Sequence, residues 1–132
     1  RDWALLSNLP VVQNLTLMGV PTALMHGHGS ASQYFWDKMK YFVEGYRFAR
    51  YQKILKESAP QARLMIFGHT HRPLNMAENG VTYFNPGSAC MAFMNRELPT
   101  VGILRIQRGG NIQGEIVPLH GYTLVNRQWQ TV

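Results

Sequence analysis

Four of the five histidines fall in short, glycine-marked turns: His26-Gly27-His28, then Gly68-His69-Thr70-His71-Arg72-Pro73, with Asn85-Pro86-Gly87-Ser88 downstream. Each turn follows an apolar run, and imidazoles delivered that way can converge on a metal at the carboxyl edge of a sheet. His69 and His71 stand two apart. On a straight strand they would share a face, whereas a tight loop can aim them at two neighbouring metals or share them on one. Metal chemistry is therefore the first reading, set against the plainer one of surface imidazoles with no ligand. The plainer reading suits His120, which follows Pro118-Leu119 and sits in no motif.

The HGH, GHTH and NPGS elements in this order make the chain resemble the calcineurin-like metallophosphoesterases, and within them the branch of small phosphodiesterases and Vps29-like proteins. The resemblance implies that His26, His69 and His71 are metal ligands, with His69 and His71 on different ions of a pair. His28 is then either a support for a ligand or a substrate-side catalytic group, and Arg72, directly after His71, either reaches a phosphate of the substrate or is a rim charge. Asn85 either bonds its own turn or, with Gly68, Gly87 and Ser88, supports the histidine loop. The implied reaction is hydrolysis of a small phosphoester, a diester or a monoester. Two divalent ions about 3.5 to 4 Å apart would hold a hydroxide for in-line attack and neutralise charge on the phosphoryl oxygens. Histidine and carboxylate ligands suit Mn, Fe, Zn or Ni better than an all-oxygen magnesium site.

Three imidazoles do not hold two metals, and Asp37, Glu44, Glu57, Glu78, Glu97 and Glu115 fall in no motif. In the family the other ligands come from an earlier D-x-H, G-D and G-N-x-D, and Arg1-Asp2 resembles the end of the last of these. The expectation is a single partial domain over residues 1–132, the C-terminal half of the family's unit, inactive alone and active in a longer parent. Many family members carry a general-acid histidine where this chain has Arg1. An arginine clamps a phosphate but is a poor proton donor at neutral pH, which leaves proton donation to another group such as His28.

The expected fold class is α/β: half of a four-layer α-β-β-α sandwich, mostly mixed and antiparallel strands with one helical segment. Val11 to Leu17 reads as a strand turning at Met18-Gly19, and Thr22 to Met25 as the run that delivers His26. Apolar spacing predicts helix from Gln33 to Tyr46 and again from Phe48 to Ser58, where Pro60 stops it. The aromatics from Tyr34 to Tyr51 suit core packing better than a lid or a partner ridge. Arg63 to Phe67 reads as a buried strand, Asn79-Gly80 as a hairpin turn, and Val101–Ile106 with Ile112–Val117 as a second hairpin with loose alternation. The apolar tail from Leu119 either docks on the body or pairs with a neighbouring subunit.

With 132 residues the chain buries one core and hardly more. Its net charge of +6 attracts phosphate-bearing ligands without naming one. No recognised nucleic-acid module accompanies that charge, so a solvated basic helix face is the preferred reading. Cys90 is the only cysteine, which excludes an intrachain disulfide. No apolar run reaches the roughly 18 residues of a membrane span, and a cytoplasmic protein is expected. The expected partners are a small phosphoester and, because half a sandwich exposes strand edges, either a second copy or the missing N-terminal half. The rival to the hydrolase is a non-catalytic interaction scaffold of the same fold, with a nucleic-acid phosphoesterase third.

Overall fold

The computed structural model describes residues 10–27, 45–89, 98–125 and 128–131. Strand β1 (Val12–Leu17) turns through Met18 and Gly19, with φ of 51° and 83°, into antiparallel β2 (Val20–Met25). Two successive left-handed residues match the right-handed twist of the flanking strands, which is why a two-residue turn suffices here. From β2 the chain leads to helix α1 (Phe48–Ser58) and then β3 (Leu64–Phe67), which lies parallel to β2. A parallel neighbour needs such a crossover, because no tight turn can reverse the chain twice. Antiparallel β4 (Leu74–Glu78) and β5 (Val81–Asn85) are joined by Asn79-Gly80, again left-handed at both residues. With β5 parallel to β3, the sheet order is β1-β2-β3-β5-β4.

Helix α1 covers one face of this sheet. Leu55 is fully buried among Ala23, Met25, Met65, Phe67 and Tyr83, while Phe48 stacks on Phe67 and meets Tyr83 edge to face. Burying a leucine of that kind contributes about 1.5–3 kcal/mol. Lys56 in the last turn complements the helix dipole, and Ala59-Pro60 ends the helix. The opposite face, with Val20, Leu64 and Phe84 buried, lies under the hairpin of β6 (Thr100–Ile106) and β7 (Ile112–Pro118). Leu104, Ile106, Ile112 and Ile116 project inward from that hairpin. The result is a mixed α/β sandwich, mostly strands, with one helical segment among the described residues.

The expected helix from Gln33 falls largely on residues 28–44, outside the described residues. The tail forms its own antiparallel pair, β8 (Tyr122–Val125) with β9 (Gln128–Thr131), a pairing that its irregular polarity did not announce.

Tyr83 sits at the centre of the helix-covered face with 0% exposure, and its hydroxyl has no hydrogen-bond partner among the described residues. Taking a hydroxyl out of water without a partner costs about 1–3 kcal/mol. Tyr83→Phe keeps the ring and removes that cost, so denaturant unfolding should show a gain of about 1 kcal/mol. A loss of similar size would mean that the hydroxyl has a partner.

Candidate functional site

The parallel pair β2–β3 ends in register, Met25 opposite Phe67, so the turns that follow emerge side by side. The Gly68 amide donates to the His26 carbonyl at 3.2 Å, and the Thr70 amide to the Gly68 carbonyl at 2.7 Å. His69 and His71 both adopt left-handed backbone, with φ of 63° and 55°. For residues with a Cβ that conformation costs on the order of 1–2 kcal/mol each. The surrounding bonds must hold it in place.

Asn85 does much of the holding. It is fully buried at the end of β5, and its Nδ2 donates to the Gly68 carbonyl at 2.9 Å and to the Thr70 hydroxyl at 3.0 Å. Its Oδ1 accepts from the Gly87 amide at 2.9 Å, closing the Asn-Pro-Gly turn. Thr100 ties the same turn to β6, its hydroxyl donating to the Pro86 carbonyl and its amide to that of Ser88. Asn85 thus bonds its own turn and the histidine loop at once, so the two roles open to it from the sequence are combined.

The loop brings two imidazoles together. His69 Nδ1 lies 3.3 Å from His26 Nε2, and the rings meet edge to face with centroids 5.1 Å apart. Such contact requires one ring nitrogen to carry a proton and the other to be bare. Tyr51 of α1 flanks His69, with ring centroids 6.3 Å apart. Tyr51 also stacks on Tyr46, and the Arg72 guanidinium lies 4.7 Å from the centre of the Tyr46 ring, a cation–π distance. Burial pushes the Tyr46 phenol above its ordinary ionisation range, an effect partly offset by its hydrogen bond with Thr70 and by the charge of Arg72. At neutral pH the ring therefore stays neutral under the cation.

Tyr46 and Tyr51 were not candidates for the rim. They end the aromatic-rich stretch assigned to core packing, and Phe48 between them does pack in the core. The only signal was their placement on either side of Phe48 at a helix start. Arg1 and His28 lie outside the described residues. His71 is exposed, and it does not complete a three-donor group with His26 and His69.

This geometry corrects the metal reading. Among the described residues no three histidine, cysteine, aspartate or glutamate side chains come close enough together to hold a metal ion. The expectation of two divalent ions, Mn, Fe, Zn or Ni, is corrected accordingly: no group that could hold them is found among the described residues. The expected metal-dependent phosphoester hydrolysis and the small phosphoester partner rested on such a centre, and the described residues do not support them. No helix among the described residues is long and apolar enough to cross a membrane.

Residues 4–109 match the model of the calcineurin-like phosphoesterase superfamily domain. The chain belongs to that superfamily. Among solved structures it is similar to a double-mutant Vps29 from Entamoeba histolytica, at 21% identity and TM-score 0.57 over 93% of this chain and 59% of that one. Vps29 from Chaetomium thermophilum gives 17% identity and TM-score 0.55 over 89% and 63%. A single-mutant Entamoeba histolytica Vps29 gives 22% identity and TM-score 0.53 over 93% and 59%. At these identities the likeness is one of fold. None of the curated proteins matches the chain. The chain spans between 51% and 63% of the length of the solved structures it resembles. The superfamily fold extends over most of the chain.

Proposed function

We propose that the chain is a non-catalytic protein-interaction scaffold built on the calcineurin-like fold. The observation that carries this reading is the direct His26–His69 contact, set in a rim of Tyr51, Tyr46 and Arg72. Imidazoles joined to each other, flanked by Tyr51 and by an arginine on Tyr46, make a shaped polar and aromatic rim. Surfaces rich in Tyr and Arg are favoured where proteins meet. Within this reading Gly68, Asn85, Gly87 and Ser88 keep the rim in shape, while Arg72 and the histidines present it to a partner. The 132 residues form one partial domain of the fold, a reading supported by their coverage of 59% to 63% of the Vps29 structures above. The single cysteine fits a reducing, cytoplasmic setting.

Turnover of bis-p-nitrophenyl phosphate and p-nitrophenyl phosphate, with Mn and with chelator, tests the proposal. The expected result is no metal-dependent turnover by the wild type, and no change on His26→Ala or His69→Ala. Hydrolysis that requires Mn and disappears in both variants would contradict it.

A further inference from the structure

The two edges of the five-stranded sheet differ. At the β4 edge, Asn75 Nδ2 donates to the Gly114 carbonyl of β7 at 2.7 Å and Glu78 accepts from Gln52 of α1, so side chains tie that edge to its neighbours. Strand β1 pairs only with β2 among the described residues. Its sequence, VQNLTL, contains no charge and no proline, the devices that usually blunt an open edge.

Pro21 reveals which backbone groups face outward. Its carbonyl accepts from the Arg63 amide at 2.8 Å, so its polar backbone faces β3 and not β1. Its partner in the ladder, Thr16, is then in a non-hydrogen-bonded pair, with N–H and C=O turned to the open side. Alternation gives Val12 and Asn14 the same outward backbone, while Gln13, Leu15 and Leu17 bond to β2. A two-residue left-handed turn independently requires Leu17 and Val20 to be a bonded pair, which agrees.

A cleft of about 400 Å³ lies along this strand, lined by Asn14, Thr16, Pro21, Ser58, Pro60 and Gln61 among others. Val11 and Met18, at the two ends of β1, are 69% and 53% exposed. Helix α1, which ends at the cleft, carries Arg50, Lys53 and Lys56 against a single acid, Glu57. The uncharged edge therefore belongs to a chain whose net charge is +6, and Lys56 lies two residues before Ser58 of the cleft.

We propose that β1 is a docking edge, to which an extended segment of a partner protein, uncharged where it pairs and acidic at its flanks, adds as a further strand. The inference rests on the scaffold reading. Backbone pairing through Val12, Asn14 and Thr16 supplies affinity, a side chain in the cleft sets register, and charge selects acidic flanks.

The probe is a synthetic peptide of alternating valine and threonine flanked by glutamates, added to the isotope-labelled 132-residue chain. Amide exchange at Val12, Asn14 and Thr16 should slow on binding, while Gln13, Leu15 and Leu17, already bonded, change little. Asn14→Pro removes one outward donor at a position where an edge strand tolerates proline, and should weaken binding about tenfold, the scale of one lost hydrogen bond. If that variant does not fold, a probe N-methylated on alternate amides removes the same bonds from the peptide's side and should not bind. Exchanging the flanking glutamates for lysines should also weaken binding. Unchanged exchange at the three amides, equal binding of the lysine-flanked probe, or protection that grows with protein concentration in the absence of peptide would overturn the proposal. The last result would make a second copy the occupant. None of these outcomes bears on phosphoester turnover, so this inference and the scaffold reading fail separately.

Discussion

Asn85→Leu is expected to destabilise the protein by about 3–4 kcal/mol and to lower its thermal midpoint by roughly 10 °C. Leucine fills the space but neither donates nor accepts, so the Gly68 carbonyl, the Thr70 hydroxyl and the Gly87 amide each lose one hydrogen bond together. A fully orphaned group costs about 1–3 kcal/mol, and the sum is held down because the Gly68 carbonyl keeps the Thr70 amide, the Thr70 hydroxyl keeps the Arg72 amide, and all three neighbours are only half-buried. Asn85→Asp keeps the acceptor for Gly87 and loses the donor for the loop, so it should fall between wild type and Asn85→Leu. The loop should respond as well as the melting curve. Released from Asn85, His69 should leave its left-handed backbone, and its ring resonances should move with those of His26. A midpoint within about 2 °C of wild type would show that other contacts hold the loop.

Gly102→Ala should cost about 2–3 kcal/mol, more than most substitutions that add a single methyl group. A Cβ at Gly102 would lie 2.6 Å from the Phe84 ring and 2.9 Å from Pro86, closer than carbon atoms pack. On the partner strand a Cβ at Gly114 would lie 2.8 Å from the same ring and 2.6 Å from Asn75 Oδ1. The Phe84 ring, 2% exposed, is thus wedged between two glycines of the hairpin and has no room to withdraw. Phe84→Leu in the Gly102→Ala background should relieve the clash, so that urea unfolding gives less than the sum of the two single losses. Strict additivity would mean that the hairpin lifts off the sheet as a unit.

The same wedge explains why the second hairpin was hard to read. Gly102 and Gly114 occupy inward positions, Gly102 opposite Ile116 and Gly114 opposite Leu104, where alternation calls for apolar side chains. The missing volume is supplied by Phe84 from another strand, a contact that no local pattern announces. Turns, by contrast, were plain. Met18-Gly19 and Asn79-Gly80 combine residue types that accept left-handed backbone with apolar runs on either side, and both close hairpins. The strand ending at Phe67 and the helix stopped by Pro60 were equally clear, because short apolar runs bounded by Gly and Pro leave few alternatives.

At the rim, sequence gave proximity without geometry. That turns after β2 and β3 would lie together follows from parallel pairing, and His26 and His69 do touch. Whether those imidazoles face a common centre or one another depends on φ at His69 and His71, which residue type does not determine. Tyr46 and Tyr51 were obscured for a related reason. Aromatics at helical spacing look alike whether they pack inward, as Phe48 does, or line a rim.

Paramagnetic broadening of labelled histidine ring signals on titration with Mn²⁺ tests the central claim most directly. The direct His26–His69 contact, with His71 outside it, predicts that the three rings do not broaden together at stoichiometric Mn²⁺, and that any effect is weak and unsaturated, as for isolated surface imidazoles. Simultaneous, saturable broadening of His26, His69 and His71 at one equivalent would mean that the loops close on a shared ion, and the scaffold account would be wrong.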